Sequence, residues 1–195
     1  MTGTDETTTS HQVGALRAER RGDSIVVLDR SCGGCPTCRT GFRLWCTNLG
    51  PEREQVAFFT TRDPRSVLRS LTAAAAFVGA CVDPQAVVLV LDDSDDDPMS
   101  IAGLVRSLHS GAVYVTSDSA DPAIRAGIAA ASPHGRADVV VASLLARDAV
   151  KAVVRGGVVC LSADAVEAPT VTELVQREVR LVGARSVQDV LERVA

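Results

Sequence analysis

Four cysteines crowd into a short stretch near the start of the chain. Cys32, Cys35, Cys38 and Cys46 are separated by two, two and seven residues. The two-residue spacers let successive sulfurs turn toward one centre, and the longer spacer brings back a fourth sulfur to complete a tetrahedron. Four thiolates leave no open position for water or substrate, so the spacing predicts a structural zinc site rather than a catalytic one.

Other uses of these cysteines would have different chemistry. The four could be free thiols, disulfide-bonded pairs or ligands of an iron–sulfur centre. Their clustering favours a metal over disulfides in a reducing compartment, and nothing else in the sequence suggests redox chemistry. Cys81 and Cys160 stand alone in apolar surroundings, and we expect both to be small buried side chains.

Three glycines, Gly33, Gly34 and Gly41, lie within the spacers of the cluster. We expect them to remove Cβ clashes where the backbone folds around the ion. Their amides are also placed to hydrogen-bond to the thiolates.

No pair of side chains suggests a nucleophile with its base. The three histidines, His11, His109 and His134, have no matching cysteine, serine or carboxylate arrangement. We therefore predict no catalytic residue in this chain.

The elements that must position the cluster follow from hydrophobic periodicity. Residues 24–28 follow a Gly-Asp turn signal and predict a strand that leads into the cysteines. After Pro64, helical and β-branched segments alternate. The predicted helices cover residues 64–82, 99–110, 122–131, 146–154, 170–176 and 186–194. The predicted strands cover residues 55–60, 86–91, 112–116, 137–142, 158–161 and 179–182.

This alternation predicts an α/β fold. Five strands interleaved with helices imply right-handed crossovers and a doubly wound, Rossmann-like parallel sheet, with a small N-terminal structural-zinc lobe. We expect a disordered tail at 1–11, a strand plus the zinc lobe at 12–62, and the Rossmann-like domain at 63–195.

Composition narrows the class of partners. The chain is 46% hydrophobic and 3% aromatic, which suits buried parallel strands, and its net charge is −4. We expect no nucleic-acid partner because there is no basic surplus. No apolar run of membrane-spanning length and no signal peptide is present, so we expect a cytoplasmic protein without membrane contact.

Two segments around the cysteines carry a family resemblance. The strings GDSIVV at 22–27 and CTNLG at 46–50, with the cluster between them, resemble the structural-zinc lobe of medium-chain zinc-containing alcohol dehydrogenases. The alternation from about Pro64 onward is similar in order and length to that family's nucleotide-binding domain. Residues 171–185 resemble the approach to its last strand. The resemblance implies an alcohol-dehydrogenase-like fold with structural zinc.

The sequence departs from the family where catalysis would need it. Family members carry a preceding barrel domain with a catalytic-zinc cysteine and a Gly-His-Glu motif, whereas here few residues precede the lobe and His11 is not followed by Glu. A further Cys or acidic ligand would be expected near Leu71 to Ala75, where the chain reads Leu-Thr-Ala-Ala-Ala.

The family's Gly-x-Gly-x-x-Gly turn is also replaced. After the first strand of the nucleotide domain the chain reads DDSDDD, the acidic loop Asp92 to Asp97. Its carboxylates repel phosphates and its Cβ atoms block their close approach, so we expect no ordinary NAD or NADP binding. Asp118 stands near the ribose-binding position, but without the glycine turn we expect it to cap a loop.

The acidic loop allows other interpretations. It could bind Mg²⁺ or Ca²⁺, or dock a basic partner, but it lacks the spacing and glycine of a calcium loop. A solvated run of charges at a strand end is the interpretation we favour.

Two classes of function follow from these observations. The first is a non-catalytic accessory or interaction component, acting as a homodimer or beside a partner enzyme. The resemblance implies that Val179 to Val182 is the edge that dimerises. The alternative is an enzyme with a repurposed pocket at the carboxyl ends of the strands, either an unusual oxidoreductase or a cofactor-independent lyase or isomerase.

Overall fold

The computed structural model describes residues 9–92, 97–144, 146–165 and 169–194. The chain divides into two units, Met1–Leu68 and Arg69–Ala195. This division falls inside a helix that begins at Pro64, whereas the sequence placed the boundary just before that helix. Within the described part of the chain, no helix is both long and apolar enough to cross a membrane.

The first unit is a four-stranded antiparallel sheet whose strands follow chain order. Two-residue turns at Gly14-Ala15 and Gly22-Asp23 join the first three strands, and both glycines adopt positive φ, as tight hairpin turns require. A short helix, α1 (Pro36–Arg39), and a 3₁₀ turn, Arg43–Trp45, lie in the connection before the last strand. The strands are β1 (Ser10–Val13), β2 (Leu16–Arg21), β3 (Ser24–Ser31) and β4 (Leu49–Phe59).

The sequence missed β1 and β2. Ser10 and His11 lie in β1, so the expected disorder is wrong for these two residues, while residues 1–8 lie outside the described part of the chain. The reason is that both strands are polar and gain their order from pairing. For example, Arg17 of β2 contacts Glu52 of β4 at 3.0 Å.

The second unit is a five-stranded parallel sheet with the order β6-β5-β7-β8-β9. Its strands are β5 (Val88–Leu91), β6 (Val113–Thr116), β7 (Ala137–Ala142), β8 (Val153–Leu161) and β9 (Arg180–Gly183). Its helices are α2 (Pro64–Gly79), α3 (Ile101–Leu108), α4 (Pro122–Ala131), α5 (Ala146–Ala152), α6 (Val171–Arg177) and α7 (Gln188–Val194).

The side chains of β5 divide between two apolar cores. Val88 and Val90 pack with α2 and α3 on one face, whereas Leu89 and Leu91 pack with α4 and α5 on the other. Helices therefore cover both faces of a parallel sheet, which explains why a strand such as β5 is apolar throughout. This confirms the predicted α/β, doubly wound, Rossmann-like fold.

Candidate metal centre

The four cysteines of the cluster come together as the spacing predicted. Their sulfur atoms all lie within 4.8 Å of one another. The Sγ of Cys46 lies 3.7 Å from those of Cys32 and Cys35, and Cys32 Sγ lies 4.0 Å from Cys38 Sγ. All four are free cysteines; Cys38 and Cys46 are buried, and the other two are half-buried.

These separations distinguish a metal site from disulfides. A disulfide joins its sulfurs at about 2.05 Å, far shorter than any of these contacts. With Zn–S bonds of about 2.3 Å, the sulfurs at the corners of a tetrahedron lie about 3.8 Å apart. The donor set and its spacing therefore fit a zinc ion bound by four thiolates, with no position left for substrate.

The thiols of the cluster differ in how readily they ionise. The backbone amides of Cys35 and Gly34 donate to the sulfur of Cys32 and lower its pKa to about 6. Burial raises the pKa of Cys38 to about 12. Since a bound metal deprotonates its cysteine ligands, a cation at this position would hold the buried sulfur as a thiolate.

A β-hairpin positions the cluster. Ser31 at the end of β3 pairs with Leu49 at the start of β4, so the connection that carries all four cysteines leaves and re-enters the sheet at one point. Within it, Pro36 begins α1, where the missing N–H costs nothing, and the helix turns Cys38 back toward Cys35. Backbone pairing thus closes the loop that the metal would cross-link.

The expected role of the glycines is wrong in part. A Cβ at Gly33, Gly34 or Gly41 would meet nothing within 4 Å, so these residues relieve no clash. Gly33 and Gly41 are required for a different reason, because their φ angles of +74° and +85° are left-handed.

The sequence did not reveal that the Gly14-Ala15 turn packs against the cysteine cluster. Ala15 is fully buried against Cys38 and Cys46, and its amide donates to the carbonyl of Leu44 at 2.8 Å. A Cβ on Gly14 would lie 2.1 Å from that same oxygen. The Val-Gly-Ala-Leu string offers a turn signal that could have revealed this hairpin, but not its contact with the metal loop.

The two remaining cysteines behave differently from each other. Cys160 is fully buried in the core and burial raises its pKa to about 12, which confirms the expected apolar role. The expectation is wrong for Cys81, which is exposed because it follows α2 with a left-handed φ of +52° that directs it out of the core.

His109 and Asp118 also have local partners. The Nε2 of His109 lies 2.9 Å from the carbonyl oxygen of Ala86, and its ring packs edge-on against Phe77. Asp118 accepts a hydrogen bond from the amide of Ala120 at 2.8 Å, so it caps a loop as predicted. These contacts give His109 and Asp118 structural roles, and the absence of a catalytic residue stays a prediction.

Loss of one thiolate tests the ligand assignment. Replacing Cys38 by serine should release the zinc and disorder residues 32–48, because structural zinc contributes apparent binding energies of about 10–16 kcal/mol. Metal analysis should find one zinc per chain in the parent protein and in Cys81→Ser, a control outside the cluster. Amide hydrogen exchange of residues 32–48 would measure the disorder of this loop. Full zinc retention in Cys38→Ser would contradict the assignment.

A second pair of variants tests the supporting turn. Gly14→Ala should lower the free energy of unfolding by about 3 kcal/mol and speed zinc release to a chelator, because it adds both a backbone clash and left-handed strain. Gly22→Ala carries the same φ of +58° but meets nothing within 4 Å, so it should lose only about 1 kcal/mol. Equal effects in denaturant titrations would show that the contact with Leu44 is unimportant.

Solved structures of several dehydrogenases are similar to this chain. D-arabinose dehydrogenase from Sulfolobus solfataricus matches with a TM-score of 0.54 and 15% identity over 89% of this chain and 70% of its own. The alcohol dehydrogenase of Aeropyrum pernix gives 0.53 and 11% over 92% and 69%. A short-chain alcohol dehydrogenase of E. coli CFT073, complexed with NADH, gives 0.53 and 14% over 87% and 64%.

The similarity to these structures is limited in sequence identity and in covered length. No family model and no curated protein sequence matches the chain. The chain spans less than two thirds of the length of the E. coli structure. At identities this low, similarity demonstrates the fold and not the activity. The chain therefore has the fold of the medium-chain zinc-containing alcohol dehydrogenases, as the resemblance around its cysteine cluster implied.

Proposed function

We propose that this chain is a zinc-stabilised, alcohol-dehydrogenase-like protein that does not transfer hydride and acts as an accessory or interaction component. One observation carries the proposal. Where a dinucleotide-binding domain has a glycine turn after its first strand, this chain has five aspartates between positions 92 and 97. Residues 93–96 lie outside the described part of the chain, but the groups that flank them support the same interpretation.

The start of α3 supports the proposal because local side chains already accept from two of the backbone amides at residues 99–103. Phosphates bind at a helix N-terminus through unpaired N–H groups. Here the hydroxyl of Ser100 accepts from the amide of Gly103 at 2.9 Å, and the carboxylate of Asp97 accepts from that of Met99 at 2.7 Å. A Cβ on Gly103 would lie 2.6 Å from the carbonyl of Pro98, so the preceding backbone covers this turn.

The carboxyl ends of the strands are joined to one another by polar side chains. Ser143 donates to Asp92 at 3.0 Å, and Ser162 donates to the carbonyl of Ser143 at 2.6 Å and to Asp164 at 3.0 Å. Arg69 of α2 pairs with Asp164 at 3.2 Å. These hydrogen bonds lie in the crevice where open α/β sheets bind ligands.

The same cluster is the reason to keep an enzymatic alternative. A hydrogen-bonded set of Asp92, Ser143, Ser162 and Asp164 at the carboxyl ends of three strands could serve as a repurposed site for an unusual oxidoreductase, lyase or isomerase. We favour the non-catalytic function because the side chains satisfy one another. Four free thiols at metal spacing also lead us to propose a reducing, cytoplasmic location.

Cofactor titration separates these functions. The fluorescence of NADH and NADPH should show no saturable change on addition of the zinc-loaded protein, because the acidic loop repels the pyrophosphate. The E. coli CFT073 enzyme, solved with NADH, is the positive control. Saturable binding of either dinucleotide in the micromolar range would reject the proposal and support the oxidoreductase alternative.

The interaction that we propose uses the exposed edge of the parallel sheet. The strand order ends at β9, whose four residues are exposed or half-buried, and Leu181 is 38% exposed. An edge strand offers unpaired backbone groups to another strand. Antiparallel pairing of β9 with its copy across a two-fold axis would form a homodimer with a continuous sheet. A partner enzyme that offers an edge strand could occupy the same position.

Sedimentation tests the homodimer. The parent protein should sediment as a dimer at tens of micromolar, and Leu181→Lys should sediment as a monomer because it brings like charges together at the two-fold contact. Phe59→Ser is the matched control, since it removes an apolar side chain, 87% exposed, from the first unit. A monomeric parent protein would show that β9 does not self-associate.

A further inference from the structure

The second unit contains a pocket of about 330 Å³ whose rim is cationic. Arg125 of α4, Arg136 before β7, Lys151 of α5 and Arg177 of α6 line it, and we call it the arginine pocket. No aspartate or glutamate among the described residues lines it. In a chain with a net charge of −4, this concentration of positive charge is a local departure from the overall balance.

The floor of the arginine pocket is apolar. Leu89 of β5 and Ile128 of α4 are buried there, and Ile124, also in α4, is half-buried. Small-molecule sites commonly combine an apolar surface with a few convergent polar groups. The volume lies at the lower end of the range for such sites, which is about 300–1,000 Å³.

The guanidinium groups are held but not neutralised. Arg136 and Arg177 both donate to the carbonyl of Lys151, at 2.6 and 3.2 Å, so they meet at the end of α5. Each guanidinium carries five N–H donors, and a single hydrogen bond to this carbonyl leaves most of them available. Lys151 itself pairs with Asp148 at 3.2 Å, so the three arginines supply the charge.

Arg125 differs from Arg136 and Arg177 because, among the contacts of the described residues, no backbone carbonyl accepts from its guanidinium group. Among the described residues, Arg125 is exposed and has no salt-bridge partner. Capping of the C-terminal end of α5 explains the positions of Arg136 and Arg177, but it does not explain Arg125 on α4. Because Arg125 lines the same pocket as Arg136 and Arg177, the three guanidinium groups suit recognition of an anion.

We propose that the arginine pocket binds a small organic anion, a phosphate ester or a carboxylate joined to an apolar or aromatic body. Its charged oxygens would accept from the guanidinium groups, whose planar geometry matches both head groups. Its body would cover Ile124, Ile128 and Leu89. The site lies on the face of the sheet covered by α4 and α5 and does not use the acidic loop, so it is independent of the proposed function.

Four probes test this proposal by calorimetry and NMR titration of the zinc-loaded protein. Phenyl phosphate or benzoate should bind saturably with a dissociation constant on the order of 1 mM. Phenol supplies only the apolar body and inorganic phosphate only the charge, so both should bind at least about tenfold more weakly. The stronger of the first two probes identifies the head group. Binding of phenol as tight as that of both anions would overturn the proposal.

Matched variants locate the site. Arg125→Ala, which breaks no salt bridge among the described residues, should weaken binding of the better probe about tenfold or more. Arg193→Ala removes an equally exposed arginine from α7, outside the pocket, and should leave the affinity unchanged. Arg177→Ala should also weaken binding of the better probe. Its melting temperature should equal that of the parent protein, so that the loss of affinity does not come from unfolding. Equal losses in Arg125→Ala and Arg193→Ala would show a general charge effect and reject the site.

Discussion

The convergence of four sulfur atoms constrains the first unit of this protein. Thiolates this close repel one another, so the arrangement is stable only when a cation neutralises them or when some remain protonated. The hairpin of β3 and β4 lowers the entropic cost of closing the loop, because backbone pairing has already joined its two ends. A bound zinc ion would then have to order only the loop itself. The sheet and the sulfur cage are therefore complementary parts of one small structure.

The turn at Gly14-Ala15 explains why β1 and β2 belong to this structure. The buried Ala15 forms one wall of the sulfur cluster, and its carbonyl accepts from the amide of Arg30 at 2.9 Å. Only glycine permits the approach of this turn to Leu44. A polar hairpin with little apolar area of its own is thus stabilised by contact with the metal loop, and in return it shields two of the sulfurs from water.

Sequence predicted the parts of the fold that depend on local pattern. The strands β5 to β8 and the helices between them are recognisable because burial on both faces imposes continuous apolar runs, as in Val88 to Leu91. The cysteine spacing likewise predicted the four sulfur atoms that the structure brings together as candidate metal ligands. The sequence pattern did not predict features that depend on contacts with residues distant in the chain or on an unusual backbone turn. Strand β2 is largely charged, and Cys81 stands in an apolar context, yet a left-handed turn exposes it.

The sequence also did not predict the arginine pocket. Its cations come from four separate segments, and they converge only when α4, α5 and α6 pack on one face of the sheet. Viewed together with the acidic loop, the arginine pocket reveals a redistribution of charge within the second unit. The carboxyl edge of β5, where a dinucleotide-binding fold attracts phosphate, is acidic, whereas the face covered by α4 and α5 is cationic. An anionic ligand would be repelled from the first location and attracted to the second. If the acidic loop excludes phosphate from the carboxyl edge of β5, the chain can still bind an anion at the arginine pocket, so absence of hydride transfer would not imply absence of a ligand.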